Sequence, residues 1–259
     1  EMIPDRINKF KITYLNGELS LHTVEVNRSD IKQAVATGSI YPITSNARVY
    51  RKKYDPEDFK FHPAKELPKF LYSIGPDLRS QIGGPDGFYF GDLRIALNGE
   101  YLITPNLTII ASAGIGLFNN MDDLKLDSDS IIPKVRTEIV KYLKQSDEYN
   151  IKRLQLNYFQ NPIGDIYTKL SAGYLESMFA GVGGEFLYKP FYKNYAIGAE
   201  MWRVRKRDYN QMLGLQKYMT TTGHINVFYL EPRSKVLLTL RGGKYLARDS
   251  GITIDFSRR

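Results

Sequence analysis

The sequence predicts a mainly β protein whose larger part is an antiparallel transmembrane β-barrel, present as a fragment with strands from about residue 88 to 259. A small N-terminal α+β domain precedes it. Three observations support this fold class. Apolar residues recur at every second position in segment after segment, as in an antiparallel sheet. Tyrosines stand at the ends of the apolar runs. The alternate positions carry polar and charged side chains of both signs.

Composition excludes several classes of protein. No segment approaches the roughly 20 consecutive apolar residues of a membrane-spanning helix, which excludes a helical membrane protein. The 259-residue chain has no cysteine, so structural disulfides and thiolate metal sites are excluded as well. The formal net charge of +8 indicates affinity for anionic surfaces or polymers, with solubility alone as the alternative reading.

Residues 1–66 are predicted to form a small α+β domain. KFKITYL and ELSLHTVEV alternate, and Asn16-Gly17 between them is a hairpin signal. NRSDIKQAVA predicts a short helix capped by Asn27 or Ser29. The N-terminus lacks the basic and apolar regions of a signal peptide, and GITIDFSRR at the C-terminus reads as a strand without its turn. We therefore expect the sequence to be an internal piece of a longer polypeptide.

Residues 67–87 are predicted to be a linker, because prolines are scattered from residue 41 to 86 and few periodic runs accompany them. The first long strand follows, with Leu93, Ile95 and Leu97 on one face. Later apolar faces are Leu107/Ile109/Ala111/Ala113/Ile115/Leu117, Leu154/Leu156/Tyr158, Ile166/Leu170/Ala172/Tyr174, Val182/Phe186/Tyr188, Tyr195/Ile197/Ala199/Met201, Ile225/Val227/Tyr229, Val236/Leu238/Leu240 and Ile252/Ile254/Phe256.

The apolar faces could point into the core of a soluble sandwich or outward into lipid. Three details favour lipid: the faces have almost no Lys or Glu over the 9–11 residues that a tilted strand needs, the opposite faces mix both charge signs, and tyrosines flank the apolar runs. The predicted aromatic girdle consists of Tyr89, Tyr101, Tyr158, Tyr174, Tyr188, Tyr195 and Tyr229.

The polar faces would then line a lumen, where hydrogen-bonding side chains without deep binding sites can pass a hydrated polymer. The candidate polymer-contacting residues are Asp92, Arg94, Asn98, Arg153, Lys169, Glu185, Glu200, Trp202, His224, Arg241 and Asp255. Phe90 and Trp202 are candidate stacking surfaces for sugar rings. The alternative is a packed lumen, in which salt-bridge ladders only stiffen the wall.

The turns predict the topology. Four short proline-containing connections, at residues 104–106, 161–165, 189–194 and 231–234, are expected on one side of the membrane, so an even number of strands must separate each pair. Three candidate strands lie between the first two turns. The middle candidate is not counted as a strand, because its apolar residues Val135, Ile139, Tyr142 and Leu143 have helical spacing. Residues 119–150 are therefore predicted to be one long extracellular excursion containing a short helix.

No motif for a hydrolase, phosphate-binding loop or paired-histidine metal site is present, so we predict no enzyme activity, catalytic residue, metal or cofactor. An enzyme would need Ser171 or Ser257 beside His224, and no spacing supports that. The acidic stretch with Asp122, Asp123, Asp127 and Asp129 is read as a solvated loop, with Ca²⁺ binding or ions shared with lipopolysaccharide as the alternative.

The basic stretch RVRKR (203–207) is read as a solvated loop base, with lipid phosphates or an acidic polymer as alternative ligands. Nucleic acid is not expected as a partner, because neither a helix-turn-helix nor a stacking platform accompanies the positive charge.

Several long motifs resemble the YjbH-like (GfcD-like) exopolysaccharide and capsule biosynthesis family of Gram-negative outer membranes. The resemblance covers residues 67–259 well and the first 66 residues less closely. The motifs are GGPDGFYFGDLRIALNGEYLITPNLTIIASAGIGLFNNMDDL, VRTEIVKYLKQ, IKRLQLNYF, FAGVGGEFLYKPF, VRKRDYNQMLGLQKYMTTTGH and KYLARDSGITIDFSRR.

This resemblance implies a lipoprotein or β-barrel component of polysaccharide secretion, and it carries over no catalytic residue. We therefore expect location in the bacterial outer membrane, with the N-terminal domain in the periplasm. Expected partners are outer-membrane lipid and lipopolysaccharide, an extracellular polysaccharide, and periplasmic secretion or assembly proteins. The alternatives are a plugged-barrel scaffold that organises secretion partners and, less favoured, an outer-membrane enzyme acting on sugar or lipid.

Overall fold

The computed structural model describes residues 6–16, 19–51, 68–83, 87–124, 131–146 and 148–258. The chain is mainly β and divides into two compact units. The first comprises Glu1–Leu67 with Asn161–Asp165, and the second comprises Pro68–Gln160 with Ile166–Arg259. Each unit has its own antiparallel sheet.

The first unit has a three-stranded sheet and two short helices. In chain order its elements are β1 (Lys9–Asn16), β2 (Leu19–Asn27), α1 (Arg28–Thr37), α2 (Tyr41–Asn46) and β3 (Arg48–Tyr50), with strand order β1-β2-β3. Helix α1 begins after Asn27, whose side-chain amide donates to the Asp30 carboxylate at 3.1 Å. It ends at Gly38, whose φ of 65° is readily adopted only by glycine.

The second unit is built on a ten-stranded sheet in which each strand is hydrogen-bonded to the next one in sequence. The strands are β4 (Phe70–Ile82), β5 (Tyr89–Thr104), β6 (Leu107–Asn119), β7 (Tyr149–Ile163), β8 (Ile166–Tyr174), β9 (Phe179–Tyr188), β10 (Tyr195–Arg207), β11 (Leu215–Leu230), β12 (Val236–Lys244) and β13 (Ser250–Arg258).

The predicted linker at residues 67–87 is wrong for most of its length, because Phe70–Ile82 is strand β4 and pairs with β5 along its whole length. The strands therefore begin near residue 70 rather than 88. Pro76, opposite Ile95, is one of the scattered prolines on which the linker prediction rests. Proline is tolerated here because β4 is an edge strand, in which one side of the backbone needs no ladder partner.

The four proline-containing turns all lie at one end of the sheet, as predicted, because each joins strands in the order β5–β6, β7–β8, β9–β10 and β11–β12. At the other end lies the long connection between β6 and β7, with a 3₁₀ turn at Met121–Asp123 and helix α3 (Ile139–Gln145). We call its described residues, 120–124, 131–146 and 148, the β6–β7 segment. Helix α3 lies where the helical spacing placed it. Within the described ranges, no helix is both long and apolar enough to span a membrane.

Side-chain exposure in the ten-stranded sheet is opposite to that of a soluble sandwich. On β11, Thr222 and Asn226 are 6% and 7% exposed, whereas Ile225 between them is 64% exposed. On β10, Met201 is 66% exposed. Leu97, which a soluble core would bury, is exposed as well. We call these two sides the polar face and the apolar face: many polar side chains of the first are covered, and many apolar side chains of the second are open.

The sheet curves toward its polar face. Lys152 on β7 forms an ion pair with Asp77 on β4, although two strands lie between them. In a flat sheet the two backbones would be about 14 Å apart, too far for these side chains to meet. The curved sheet is open: in the part of the chain that the structure describes, the outer edges of β4 and β13 pair with no strand.

Candidate functional site

A row of charged and polar side chains crosses the polar face from β8 to β11. Lys169 faces Glu185, Glu185 faces Glu200, and Glu200 faces His224 on successive strands. Two carboxylates directly opposite each other repel. Each carboxylate has a partner on its other side: Lys169 Nζ forms an ion pair with Glu185 Oε1 at 2.9 Å, and His224 Nδ1 lies within hydrogen-bond distance of Glu200 Oε1, at 3.0 Å. The four residues thus form one ladder of polar contacts across four strands.

Trp202 belongs to this ladder. Its indole Nε1 donates to Glu200 Oε2 at 3.3 Å, and Lys169 Nζ lies 5.8 Å from the ring centroid. The ring lies over Gly183 on β9, where a Cβ atom would overlap it. Trp202 is half-buried and fixed in the wall of the polar face. Only part of its ring is therefore open for stacking against a sugar.

His224 is held as a wall residue. Its ring packs edge-on against Tyr245, with centroids 4.6 Å apart, and its Nε2 is buried without a hydrogen-bond partner in the described residues. Ser171, once considered beside it, donates its hydroxyl to Asn157 Oδ1 at 2.7 Å instead. Ser257 lies on the exposed edge strand β13. No Ser–His hydrogen bond is present among the described residues.

Asp92 and Arg94 lie on the polar face but are fully buried. Arg94 Nε donates to both Asp92 carboxylate oxygens, at 2.8 and 2.7 Å, and both side chains are 0% exposed. The two terminal guanidinium nitrogens are buried and have no partner in the described residues. The prediction that these two residues contact a polymer is wrong for this conformation, because no solvent-accessible surface is left to touch.

Asn98 and Arg153 line an open part of the polar face. Ser112 Oγ donates to Asn98 Oδ1 at 2.7 Å, and Asn98 Nδ2 donates to Ser73 Oγ at 3.4 Å. Arg153 is exposed, and its Nε donates to the Leu175 carbonyl at 3.0 Å. A cavity of about 560 Å³ lies over these residues.

Arg241 and Asp255 lie further along the sheet. Arg241 Nε donates to Asn226 Oδ1 at 2.8 Å, so this guanidinium is anchored to the neighbouring strand. Asp255 faces Thr239 and is exposed on β13. Both side chains are reachable, and neither shares a site with Arg153.

The middle of the polar face also carries small buried polar groups that the sequence analysis did not single out. Asn157 Oδ1 accepts hydrogen bonds from Gln155 and from Ser171. The other members are Thr108, Thr220, Thr222 and Asn226. Their signal in the sequence is their register: Gln155 and Asn157 alternate with exposed apolar residues on β7, and Asn226 does so on β11.

The β6–β7 segment folds back onto the polar face rather than extending away from the sheet. Phe90 packs with Met121, Leu124 and Leu143 in one buried cluster. A second cluster joins Tyr142 to Met178 in the turn before β9, Phe179 on β9 and Val204 on β10. Phe90 was a candidate stacking surface for sugars, and this is wrong because the segment covers it to 3% exposure.

Hydrogen bonds fix the segment to the end of β10 and the loop after it. The Tyr142 hydroxyl donates to the Arg207 carbonyl at 2.6 Å, and Gln211 Nε2 donates to Ser146 Oγ at 2.8 Å. The Arg207 guanidinium donates to the carbonyls of Glu176, Gln211 and Met212. These buried residues were missed in the sequence because their partners are distant along the chain.

Lys206 and Arg207 are not a solvated basic patch, since both are buried. Lys206 Nζ pairs with Glu138 in the β6–β7 segment and donates to the Lys134 carbonyl at 2.9 Å. Burial acts to raise the pKa of Glu138, but hydrogen bonds from Lys206 and Lys141 outweigh it and hold that pKa below its usual value. Two of the four basic residues of RVRKR, Lys206 and Arg207, thus attach the β6–β7 segment to the sheet.

The predicted girdle tyrosines mostly lie on the exposed apolar face. Tyr195 and Tyr229 face each other across β10 and β11. The exposed members are Tyr89, Tyr101, Tyr158, Tyr188, Tyr195 and Tyr229. Tyr174 differs: its hydroxyl donates to the Leu213 carbonyl at 2.7 Å, and its ring lies over Arg207, 4.8 Å from the guanidinium carbon. It is a packing residue at the end of the sheet.

The acidic stretch is only partly described. Lys144 Nζ donates to the Asp122 carbonyl at 2.6 Å, which ties the 3₁₀ turn to helix α3. Asp127 and Asp129 lie outside the described residues. Within the described ranges, no group of three or more histidine or acidic side chains is placed to hold a metal ion.

Comparison with known proteins extends the resemblance to the whole chain. Residues 1–259 match the family model described as exopolysaccharide biosynthesis protein YbjH. The uncharacterized lipoprotein YjbH of Escherichia coli strain K12 is 30% identical over 264 residues, covering 99% of this chain. The chain spans 38% of that relative's length. No solved structure matches the chain.

Proposed function

Because the chain belongs to the YjbH family of exopolysaccharide biosynthesis proteins, we propose that it is part of an outer-membrane β-barrel that serves export or assembly of an extracellular polysaccharide, either exopolysaccharide or capsule. The polar face guides the polymer, and the apolar face contacts lipid and lipopolysaccharide. The first unit lies in the periplasm and docks secretion or assembly proteins.

One observation carries this proposal: the ten-stranded sheet exposes much of its apolar face, while many side chains of its polar face are buried. In water, open apolar area on this scale costs roughly 25 cal/mol per Å². In a bilayer the same area is favourable, and transmembrane barrels alternate in this way. The strands are also long enough to cross a bilayer, which takes about 9–11 residues of a tilted strand. Even the shortest strands, β8, β12 and β13, have 9 residues.

Two further features support the membrane assignment. The exposed tyrosines lie toward strand ends, where an amphipathic ring suits the headgroup region. The E. coli relative is named a lipoprotein, which is in keeping with membrane association. Closure of the open sheet, by further strands or by β4 meeting β13, completes the barrel in this proposal.

The lipid-facing assignment can be tested by single-cysteine labelling, since these 259 residues contain no cysteine and any cysteine elsewhere in the full-length protein can be replaced by serine. Single cysteines placed at Ile225 and Val227 on the apolar face, and at Thr222 and Asn226 on the polar face, would be labelled with an environment-sensitive fluorophore in the full-length protein in lipid vesicles. We expect bilayer-embedded quenchers to act on the first pair only. Equal quenching at all four positions would rule out a lipid-facing sheet.

A second function is favoured by the β6–β7 segment. Its two buried clusters and its hydrogen bonds to β10 cover one end of the polar face. A barrel covered in this way would act as a scaffold that organises secretion partners instead of conducting a polymer. Conductance of the full-length protein in planar bilayers separates the two functions, since a scaffold shows none with or without polymer.

A further inference from the structure

The cavity over the polar face has walls from two parts of the sheet. Its floor is made by β4 to β7, in two rows of facing residues. The far wall is the turn between β8 and β9, with Glu176 and Ser177. At about 560 Å³ its volume falls within the range of sites for small ligands, roughly 300–1,000 Å³.

Hydroxyl and amide groups line the first row. Ser73, Asn98 and Ser112 lie on three adjacent strands and hydrogen-bond to one another across the floor. The Asn98 side chain is exposed in the cavity rather than covered by other parts of the chain. Such groups exchange hydrogen bonds with sugar hydroxyls readily, because each can donate or accept.

Arg153 ends this row, opposite Ser112. Its Nε is fixed by the Leu175 carbonyl at 3.0 Å, which orients the guanidinium. The side chain is exposed and forms no ion pair within the described residues. An oriented guanidinium with open terminal nitrogens matches the two oxygens of a carboxylate.

The other charges at the cavity are mostly compensated. Lys152 pairs with Asp77, and Glu176 pairs with Arg136 at 2.7 Å. Glu100 lines the second row, two residues along β5 from Asn98, and has no ion pair in the described part of the chain. A bare anion such as phosphate would be repelled by Glu100. A sugar ring that carries a carboxylate on one side can instead place its hydroxyl groups near Glu100 and donate hydrogen bonds to it.

We propose that this cavity is a subsite for an acidic sugar residue of the uronate type, with the sugar carboxylate bound by Arg153 and the ring hydroxyls bound by Asn98, Ser112 and Glu100. The inference rests on the proposed function, since it names the class of polymer that the polar face guides. It also places recognition on β4 to β7, away from the ladder around Trp202.

The test uses the full-length protein in detergent micelles and two matched probes: a glucuronate-containing tetrasaccharide and its carboxyl-reduced analogue, in which glucose replaces glucuronate. Calorimetric titration should detect binding of the acidic probe. Arg153→Gln should weaken that binding at least about tenfold, as expected when a charged hydrogen-bond pair is lost. Arg233→Gln is the control, because Arg233 is an exposed arginine in the turn between β11 and β12, outside the cavity.

The inference is overturned if wild-type protein binds neither probe, if it binds both equally, or if Arg153→Gln and Arg233→Gln weaken binding to the same extent. Unchanged far-UV circular dichroism of both variants verifies that they fold. Polysaccharide secretion in cells that lack the protein separates the two levels of the argument. If those cells secrete no polysaccharide, a failed binding test overturns only the acidic-sugar subsite and the proposed function stands. If secretion is unaltered, the proposed function itself is overturned.

Discussion

The indole of Trp202 on β10 lies directly over Gly183 on β9, and a Cβ atom at residue 183 would overlap the ring. The two residues face each other in the register of the sheet. Their fit lets the indole lie flat against the wall, where its Nε1 reaches Glu200. The glycine is thus required by close packing rather than by an unusual backbone conformation.

Gly183→Ala should therefore destabilise the protein by about 1–3 kcal/mol, because the added methyl group forces the indole out of place. Urea unfolding of the full-length protein in detergent, followed by tryptophan fluorescence, measures the effect. Gly242→Ala is the matched control, since a Cβ atom there meets only Ile252 Cγ1 at 3.9 Å. Equal midpoints for the two variants would refute the packing argument.

Tyr142→Phe should cost about 1–3 kcal/mol in the stability of the β6–β7 segment, because the fully buried hydroxyl donates to the Arg207 carbonyl. Hydrogen exchange followed by mass spectrometry should show faster exchange in helix α3. Tyr149→Phe, at an exposed tyrosine, serves as the control. Unaltered exchange in the Tyr142 variant would mean that this hydrogen bond does not hold the segment.

Glu138 should make the attachment of the β6–β7 segment depend on pH. The pKa of Glu138 is lower in the folded protein than its usual value of 4.5. Its contribution to the free energy that attaches the segment is therefore present above pH 4.5 and is lost as pH falls through the folded pKa. Protease susceptibility of the segment should rise in wild-type protein over that window. Glu138→Gln should be susceptible already at pH 7 and show less change on acidification, unlike the control Asp255→Asn.

Arg94→Gln should destabilise the sheet by about 3–5 kcal/mol, because it leaves the Asp92 carboxylate buried without its charged partner. The double variant Asp92→Leu/Arg94→Met should recover most of that loss, since no buried charge remains. Urea unfolding midpoints of the three proteins provide the measurement. A double variant as unstable as the single one would contradict this account.

Loosening the β6–β7 segment should raise conductance if the polar face lines a pore. Val140→Ser/Leu143→Ser removes apolar contacts from the cluster around Phe90. The control Ile131→Ser/Ile139→Ser changes two exposed positions of the same segment. Planar-bilayer recordings of the full-length protein should show larger currents only for the first variant. Equal currents for both variants and wild type would favour the scaffold function.

Strands β10 and β11 could be predicted from sequence because alternation is local information: each residue reports its own face. The order of the turns followed from the same pattern. Strand β4 was not predicted, because a proline such as Pro76 is uncommon within a strand. Whether a strand tolerates proline depends on its being at the edge of a sheet, which the local sequence does not indicate.

The burial of Phe90 was not predicted either, because a segment some 30 to 50 residues further along the chain covers it. The burial of Asp92 and Arg94 was likewise not predicted. Register predicted correctly that these residues lie on the polar face. It carried no information on what lies above that face. The same limit applies to Arg207, whose partners come from three separate stretches of the chain.

The outer edge of β13 has a practical consequence for biochemistry. Ile252, Ile254 and Phe256 are 75%, 59% and 72% exposed on a strand whose outer backbone groups pair with no strand of the described chain. A bare edge of this kind templates stacking between copies in aqueous buffer. Dissecting this region for expression therefore calls for detergent from the first step of refolding, or for a short blocking strand fused beyond Arg258.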